Sequence, residues 1–120
     1  MKGNRINGLL TKLNGSDSHI EGSALISSDG LMIDSVLSAR FDEDKISAMS
    51  AALLSLGERA VEELEKGAPE QVTIKGDKGY IILTSAGKEA VLIVLTDSSA
   101  KLGLTYLYVK NTAKEMKTLL

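Results

Sequence analysis

The sequence predicts an α/β domain of the α+β kind, in the order α-β-β-α-β-β-β-α, with helices on both faces of an antiparallel sheet. Three observations predict it. Apolar residues recur at helical spacing in three separate segments. Strand-like segments divided by short turns lie between them. Two of those strands, Tyr80-Ile81-Ile82-Leu83 and Val91-Leu92-Ile93-Val94-Leu95, are apolar without alternation, so both of their faces are covered. The length of 120 residues fits one domain spanning residues 1–120.

Ile6, Leu9, Leu10 and Leu13 follow the i, i+3, i+4, i+7 pattern of an amphipathic helix, and Asn14-Gly15-Ser16-Asp17 supplies its stop. From Ile20 the pattern becomes strand-like through Ala24, Leu25 and Ile26. Ser27-Ser28-Asp29-Gly30 turns the chain before Leu31, Met32, Ile33 and Val36, which makes a hairpin. Asp42 is placed to cap the next helix, Glu43 and Asp44 put negative charge on its positive end, and Gly67 followed by Pro69 closes it. Within it Ile46, Met49, Leu53, Leu56, Ala60 and Leu64 form one stripe expected to lie on the sheet. Ala48, Ala51, Leu54 and Val61 fall outside that arc, so surplus apolar surface remains for a second contact.

After Pro69, Val72 and Ile74 alternate with Thr73 and Lys75, and the turns Gly76-Asp77-Lys78-Gly79 and Ala86-Gly87-Lys88-Glu89 divide three strands. Connections this short exclude parallel crossovers, so the three form an antiparallel meander. Ser98 or Ser99 is placed to cap a last helix, along which Leu102, Tyr106, Val109, Ala113, Met116 and Leu120 keep helical spacing. The strand from Gln71 to Lys75 comes first in the meander and follows a proline, so it is expected to be the most exposed strand and free to pair with another chain.

Much chemistry is excluded. The 14 Lys+Arg against 16 Asp+Glu give a net charge of −2, and the basic residues read as scattered, without the footprint that nucleic acid or an anionic membrane surface requires. No apolar run approaches a bilayer-spanning length and the N-terminus lacks a signal core, so a cytoplasmic protein without membrane insertion is expected. With no cysteine and a single histidine, His19, neither a metal site nor a cysteine or serine nucleophile with its base can be assembled. Gly87-Lys88-Glu89 is not a phosphate-binding loop, and Gly76-Asp77-Lys78-Gly79 joins two strands rather than opening a helix. Asp42, Glu43 and Asp44 are accounted for by capping, while Glu58, Glu62, Glu63 and Glu65 form a solvated helix face. Tyr80, Tyr106 and Tyr108 read as core or interface residues rather than a stacking platform. No cofactor, metal or catalytic residue is expected, and an interaction module remains.

The hairpin GSALISSDGLMIDSV, the Ala-rich helix from Lys45 to Lys66 ending in Gly67, the paired apolar strands and KLGL opening the last helix together resemble the roadblock family of dynein light chains and bacterial and archaeal small-GTPase regulators. Ser28-Asp29-Gly30-Leu31, the Gly79 turn and Leu102-Gly103-Leu104 are the most specific parts, and the likeness covers nearly the whole chain. The resemblance implies a profilin-like, five-stranded antiparallel sheet between one long middle helix and two terminal helices.

It also implies a homodimer in which the third strands pair edge to edge and the middle helices pack together. In this chain those places are Gln71, Val72, Thr73 and Ile74 on the strand and Ala51, Leu54 and Val61 on the helix. As a role it implies a non-catalytic platform that binds and regulates a Ras-like small GTPase, some members accelerating GTP hydrolysis, with docking expected around Ser55, Glu58, Glu62 and Glu65. Arg40, Arg59 and Arg5 are the only candidates for an arginine finger, and none must act as one. The alternative is a structural scaffold or light-chain subunit of a larger complex. A small-molecule sensor or enzyme is disfavoured because the apolar strands lack convergent polar groups.

Overall fold

The computed structural model describes the backbone of residues 2–120 and the side chains of residues 3–120. Its elements run α1 (Lys2–Ser16), β1 (Ile20–Ser27), β2 (Met32–Leu37), α2 (Glu43–Glu63), β3 (Gln71–Gly76), β4 (Gly79–Ser85), β5 (Ala90–Thr96) and α3 (Leu102–Lys117). The order is the one that periodicity predicts. All four strand pairings are antiparallel, and the sheet is ordered β2-β1-β5-β4-β3. The hairpin and the meander are therefore joined by β1 against β5, with Leu25 opposite Leu92 and Ala24 opposite Ile93.

Each face of the sheet carries its own core. On one face Leu10 and Leu13 of α1 and Val109 and Met116 of α3 meet Leu25, Ile82, Leu92 and Val94. Burying apolar surface drives this packing, and α1 and α3 lie side by side over it. On the other face α2 covers Ala24, Ile26, Leu83, Val91 and Ile93. β5 is buried along almost its whole length, as its unbroken apolar run predicts, whereas Tyr80 and Ile81 of β4 are only half-buried.

Two local expectations differ in the structure. Asp42 caps α2 as expected, its carboxylate accepting from the Asp44 N–H at 2.9 Å and the Lys45 N–H at 3.3 Å. The N-cap of α3 is Lys101 rather than Ser98 or Ser99, and no side chain bonds there. The Ser99 N–H donates to Asp97 Oδ1 at 2.9 Å, so the serines belong to a turn built on Asp97, ahead of the helix. Leu120 lies beyond the end of α3 and is 40% exposed.

Candidate interaction surface

The sheet order places β3 at an edge, hydrogen-bonded to β4 alone, with Val72 opposite Leu83 and Ile74 opposite Ile81. Both faces of the strand are held. The Thr73 hydroxyl is hydrogen-bonded with the Tyr106 hydroxyl of α3, while Val72 packs into the core beneath α2. That approach depends on Gly57, because a Cβ there would lie 3.0 Å from Val72 Cγ2. Gln71 is exposed and Ile74 is 38% exposed, so β3 offers an open backbone edge with an apolar side chain beside it.

The middle helix is rotated from the expected orientation. Ile46, Ser50, Leu53, Leu54 and Val61 turn toward the sheet, whereas Met49, Leu56 and Leu64 are 60%, 63% and 70% exposed. Ala60, also placed in the expected sheet-facing stripe, is exposed as well. Ala51 meets the β1–β2 turn, where a Cβ at Gly30 would come within 3.2 Å of its own. Leu54 thus holds α2 onto the sheet and Ala51 holds it onto the hairpin, Val61 is half-buried, and the surplus apolar surface lies on the opposite flank. The physical reason is steric: small residues, Ser50 and Gly57, occupy the line of closest approach, and the bulky side chains flank it.

Ser55, Glu58 and Glu62 share an outward face of α2 and are exposed. Glu65 lies beyond the helix in a left-handed conformation, φ 59°, and extends the acidic surface. Arg59 pairs with Glu63 at 3.6 Å, and Arg40 is engaged by Glu21 and stacks on the Phe41 ring at 4.7 Å. Beside Leu54 a crevice of about 10 Å³ is lined by Pro69, Val72 and Leu83, room for no more than a water molecule. Among the described residues no group of three or more His, Asp or Glu converges as a metal site requires.

His19 Nδ1 stands 3.0 Å from Asp97 Oδ2, joining the approach to β1 with the exit of β5. The hydrogen bond raises the imidazole pKa above its ordinary value and lowers that of the carboxylate, desolvation opposing both shifts. Both side chains are partly exposed, and the pair closes the sheet end rather than forming a pocket.

A family model described as the Roadblock/LC7 domain matches residues 6–96 of this sequence. The chain belongs to the Roadblock/LC7 family. A relative, the uncharacterized protein MJ1340 of Methanocaldococcus jannaschii, is 35% identical over 114 residues, covering 95% of this chain and 98% of that protein. In structure the domain is similar to MglB of Myxococcus xanthus, with a TM-score of 0.89 and 20% identity over 96% of this chain and 94% of that one. It is also similar to LokiProfilin2, solved in complex with rabbit actin, with a TM-score of 0.69 and 16% identity over 97% and 98% of the two chains. At these identities the structural likeness shows the fold, and it shows that this roadblock domain is profilin-like.

Candidate residues fall into two groups on this fold. Gln71, Val72, Thr73 and Ile74 form the open edge, and Ser55, Glu58, Glu62 and Glu65 form the acidic surface of the same layer. Met49, Leu56 and Leu64 join them as exposed apolar residues. Their sequence signal is an apolar arc too broad for one contact, which reveals surplus surface but not which flank carries it.

Proposed function

We infer that this roadblock domain works as a non-catalytic platform that self-associates and receives a Ras-like small GTPase. Two copies join through their β3 edges, with backbone pairing along Gln71, Val72, Thr73 and Ile74, and with the exposed flank of α2 adding apolar contact. The observation that carries this reading is the meeting of an open edge and exposed apolar residues at one place. Leu56 precedes Gly57, which touches Val72, and Ile74 lies two positions further along β3. Leu54 contributes from beneath, packed with Val72 against the core under α2, while Ala51 meets the β1–β2 turn and Val61 lies further along the same helix.

The choice of a GTPase as partner rests on the family resemblance, and the acidic face of Ser55, Glu58, Glu62 and Glu65 is where it docks. Hydrolysis belongs to the GTPase itself: Arg40 and Arg59 are engaged by Glu21 and Glu63, Arg5 lies on α1 across the sheet from the acidic face of α2, and the platform acts by positioning its partner's residues.

The test is GTP hydrolysis by a Ras-like GTPase from the same organism, with and without an excess of this protein, while light scattering follows complex mass. A complex with faster phosphate release supports a regulator, and a complex with unchanged hydrolysis supports an adaptor. No complex in either nucleotide state overturns the GTPase assignment. Stable mixed dimers with a related chain would then favour a structural subunit of a larger complex, using the same β3 edge.

A further inference from the structure

The net charge of −2 conceals a separation that the fold creates. Arg5, Lys12, Lys110, Lys114 and Lys117 are exposed within α1 and α3, where Glu115 is the only carboxylate, and exposed Lys101 stands beside α3 with Asp17 and Asp97 at the same helix ends. Among the described residues none of these six cations takes part in an ion pair. On the opposite side of the sheet, the segment from Asp42 to Lys66 has seven carboxylates against three cations.

The placement of the cations is specific. The amides of Asn7 and Asn14 reach Asp34 and Val36 on the β2 side of α1. Arg5 and Lys12 leave the helix on its other flank, toward α3. On α3, Leu104, Leu107, Asn111 and Lys114 follow at steps of three and four, away from the buried Thr105, Val109, Thr112 and Met116. Leu104 and Leu107 are 43% and 53% exposed. The result is a two-helix face with cations around outward leucines.

We propose that this α1/α3 face docks reversibly on an anionic lipid bilayer. The lysines and arginine meet the headgroup charges, and Leu104 and Leu107 reach the acyl boundary. The leucines favour a bilayer over a nucleic acid, whose phosphate backbone would leave them unused. The same bilayer repels the carboxylates of the α2 side, so electrostatics fix the orientation with α2 turned outward. This face is separate from the β3 and α2 surfaces, and the proposal stands or falls independently of any partner there.

Co-sedimentation of the whole chain with vesicles of phosphatidylserine and phosphatidylcholine, against phosphatidylcholine alone, tests it. Binding is expected only to the anionic vesicles, weakening as salt is added. The paired substitution Lys110→Glu with Lys114→Glu lowers partitioning about tenfold or more. Leu104→Ser with Leu107→Ser weakens it where salt has already screened the charges. All four side chains are exposed, and circular dichroism checks that the variants remain folded. Equal binding to neutral vesicles, or binding indifferent to both pairs of substitutions, overturns the proposal. So does salt-sensitive assembly of the protein with itself, dissolved by the lysine substitutions and accompanied by no vesicle binding. That outcome would set the basic face against the acidic α2 of another copy.

Discussion

Gly79 lies against the main chain of Thr96, so closely that a Cβ at Gly79 would sit 1.9 Å from the Thr96 carbonyl oxygen. The contact locks the β3–β4 turn onto the end of β5. Tyr80 N–H donates to Thr96 Oγ1 at 3.1 Å, and that hydroxyl donates to the Asp97 carbonyl at 2.9 Å. Gly79 also has φ +151°, a conformation that side chains disfavour. Gly79→Ala therefore has no accommodating arrangement and is expected to lower stability by about 4 kcal/mol or more. Urea unfolding measures this, and a midpoint equal to that of the parent chain would refute it.

Gly8 is the contrasting case. It lies within α1 with nothing within 4 Å of a Cβ position. Gly8→Ala restricts the unfolded chain and improves helix propensity, so it is expected to raise stability by about 1 kcal/mol. A lowered urea midpoint would contradict the open space at this site.

Ser50 is the only fully buried residue of α2, and its Oγ has no hydrogen-bond partner. A buried polar group without a partner costs free energy, so Ser50→Ala is expected to stabilise the fold by about 1 kcal/mol. Ser23 is equally buried, but its hydroxyl donates to Asn14 Oδ1 at 2.7 Å, and Ser23→Ala is expected to destabilise by a similar amount. Opposite signs for the two serines in one set of urea curves are the outcome to look for.

The His19–Asp97 pair gives the fold a pH dependence. Because folding raises the His19 pKa, the stabilisation from that group is fully present below its ordinary value of 6.5 and is lost as pH rises through the raised value. The Asp97 pKa is lowered, so its stabilisation is present above the ordinary 3.8 and is lost as pH falls through the lowered value. The pair therefore supports the fold most strongly between those two ordinary values. His19→Gln is expected to remove the part of the stability loss that accompanies a rise in pH through neutrality. An identical pH profile in the variant would show that the pair is not linked to folding.

Substitutions in α2 and β3 separate association from folding. Leu56→Asp and Ile74→Lys place charge on side chains that are 63% and 38% exposed, so they are expected to shift a dimer toward monomer while leaving the fold intact. Leu54 packs against the core beneath α2, and Leu54→Asp is expected to cost several kcal/mol of stability through an unpaired, partly buried charge. Light scattering with circular dichroism distinguishes the two effects. An unchanged mass for both Leu56→Asp and Ile74→Lys would sink the proposed joint.

Element type and order were legible because each element announces itself locally. Asp42 and the charges after it start α2, Gly67 with φ +87° follows its end, and the unbroken run from Val91 to Leu95 marks a strand covered on both faces. The exposed position of β3 was legible too, from Pro69 and from its place at the start of the meander. The facing of α2 was not. Its apolar and small residues spread over more than one side, and hydrophobicity alone assigned Met49 and Leu56 to the sheet. Close approach is possible only where Ser50 and Gly57 lie, and that condition depends on the position of Val72 in three dimensions.

The sequence by itself determined where helices and strands form, that the strands pair antiparallel, that β3 has an unused edge and that thiol and multi-histidine chemistry are absent. Those properties follow from neighbouring residues, from composition and from loop length. The tertiary structure alone decided which flank of α2 meets the sheet. It also gathered cations from the two ends of the sequence onto one face: Arg5 and Lys12 look scattered from Lys110 and Lys114 along the chain, yet α1 and α3 lie side by side. Surface charge is summed through space, and the pairing of β1 with β5 is what brings the two terminal helices together.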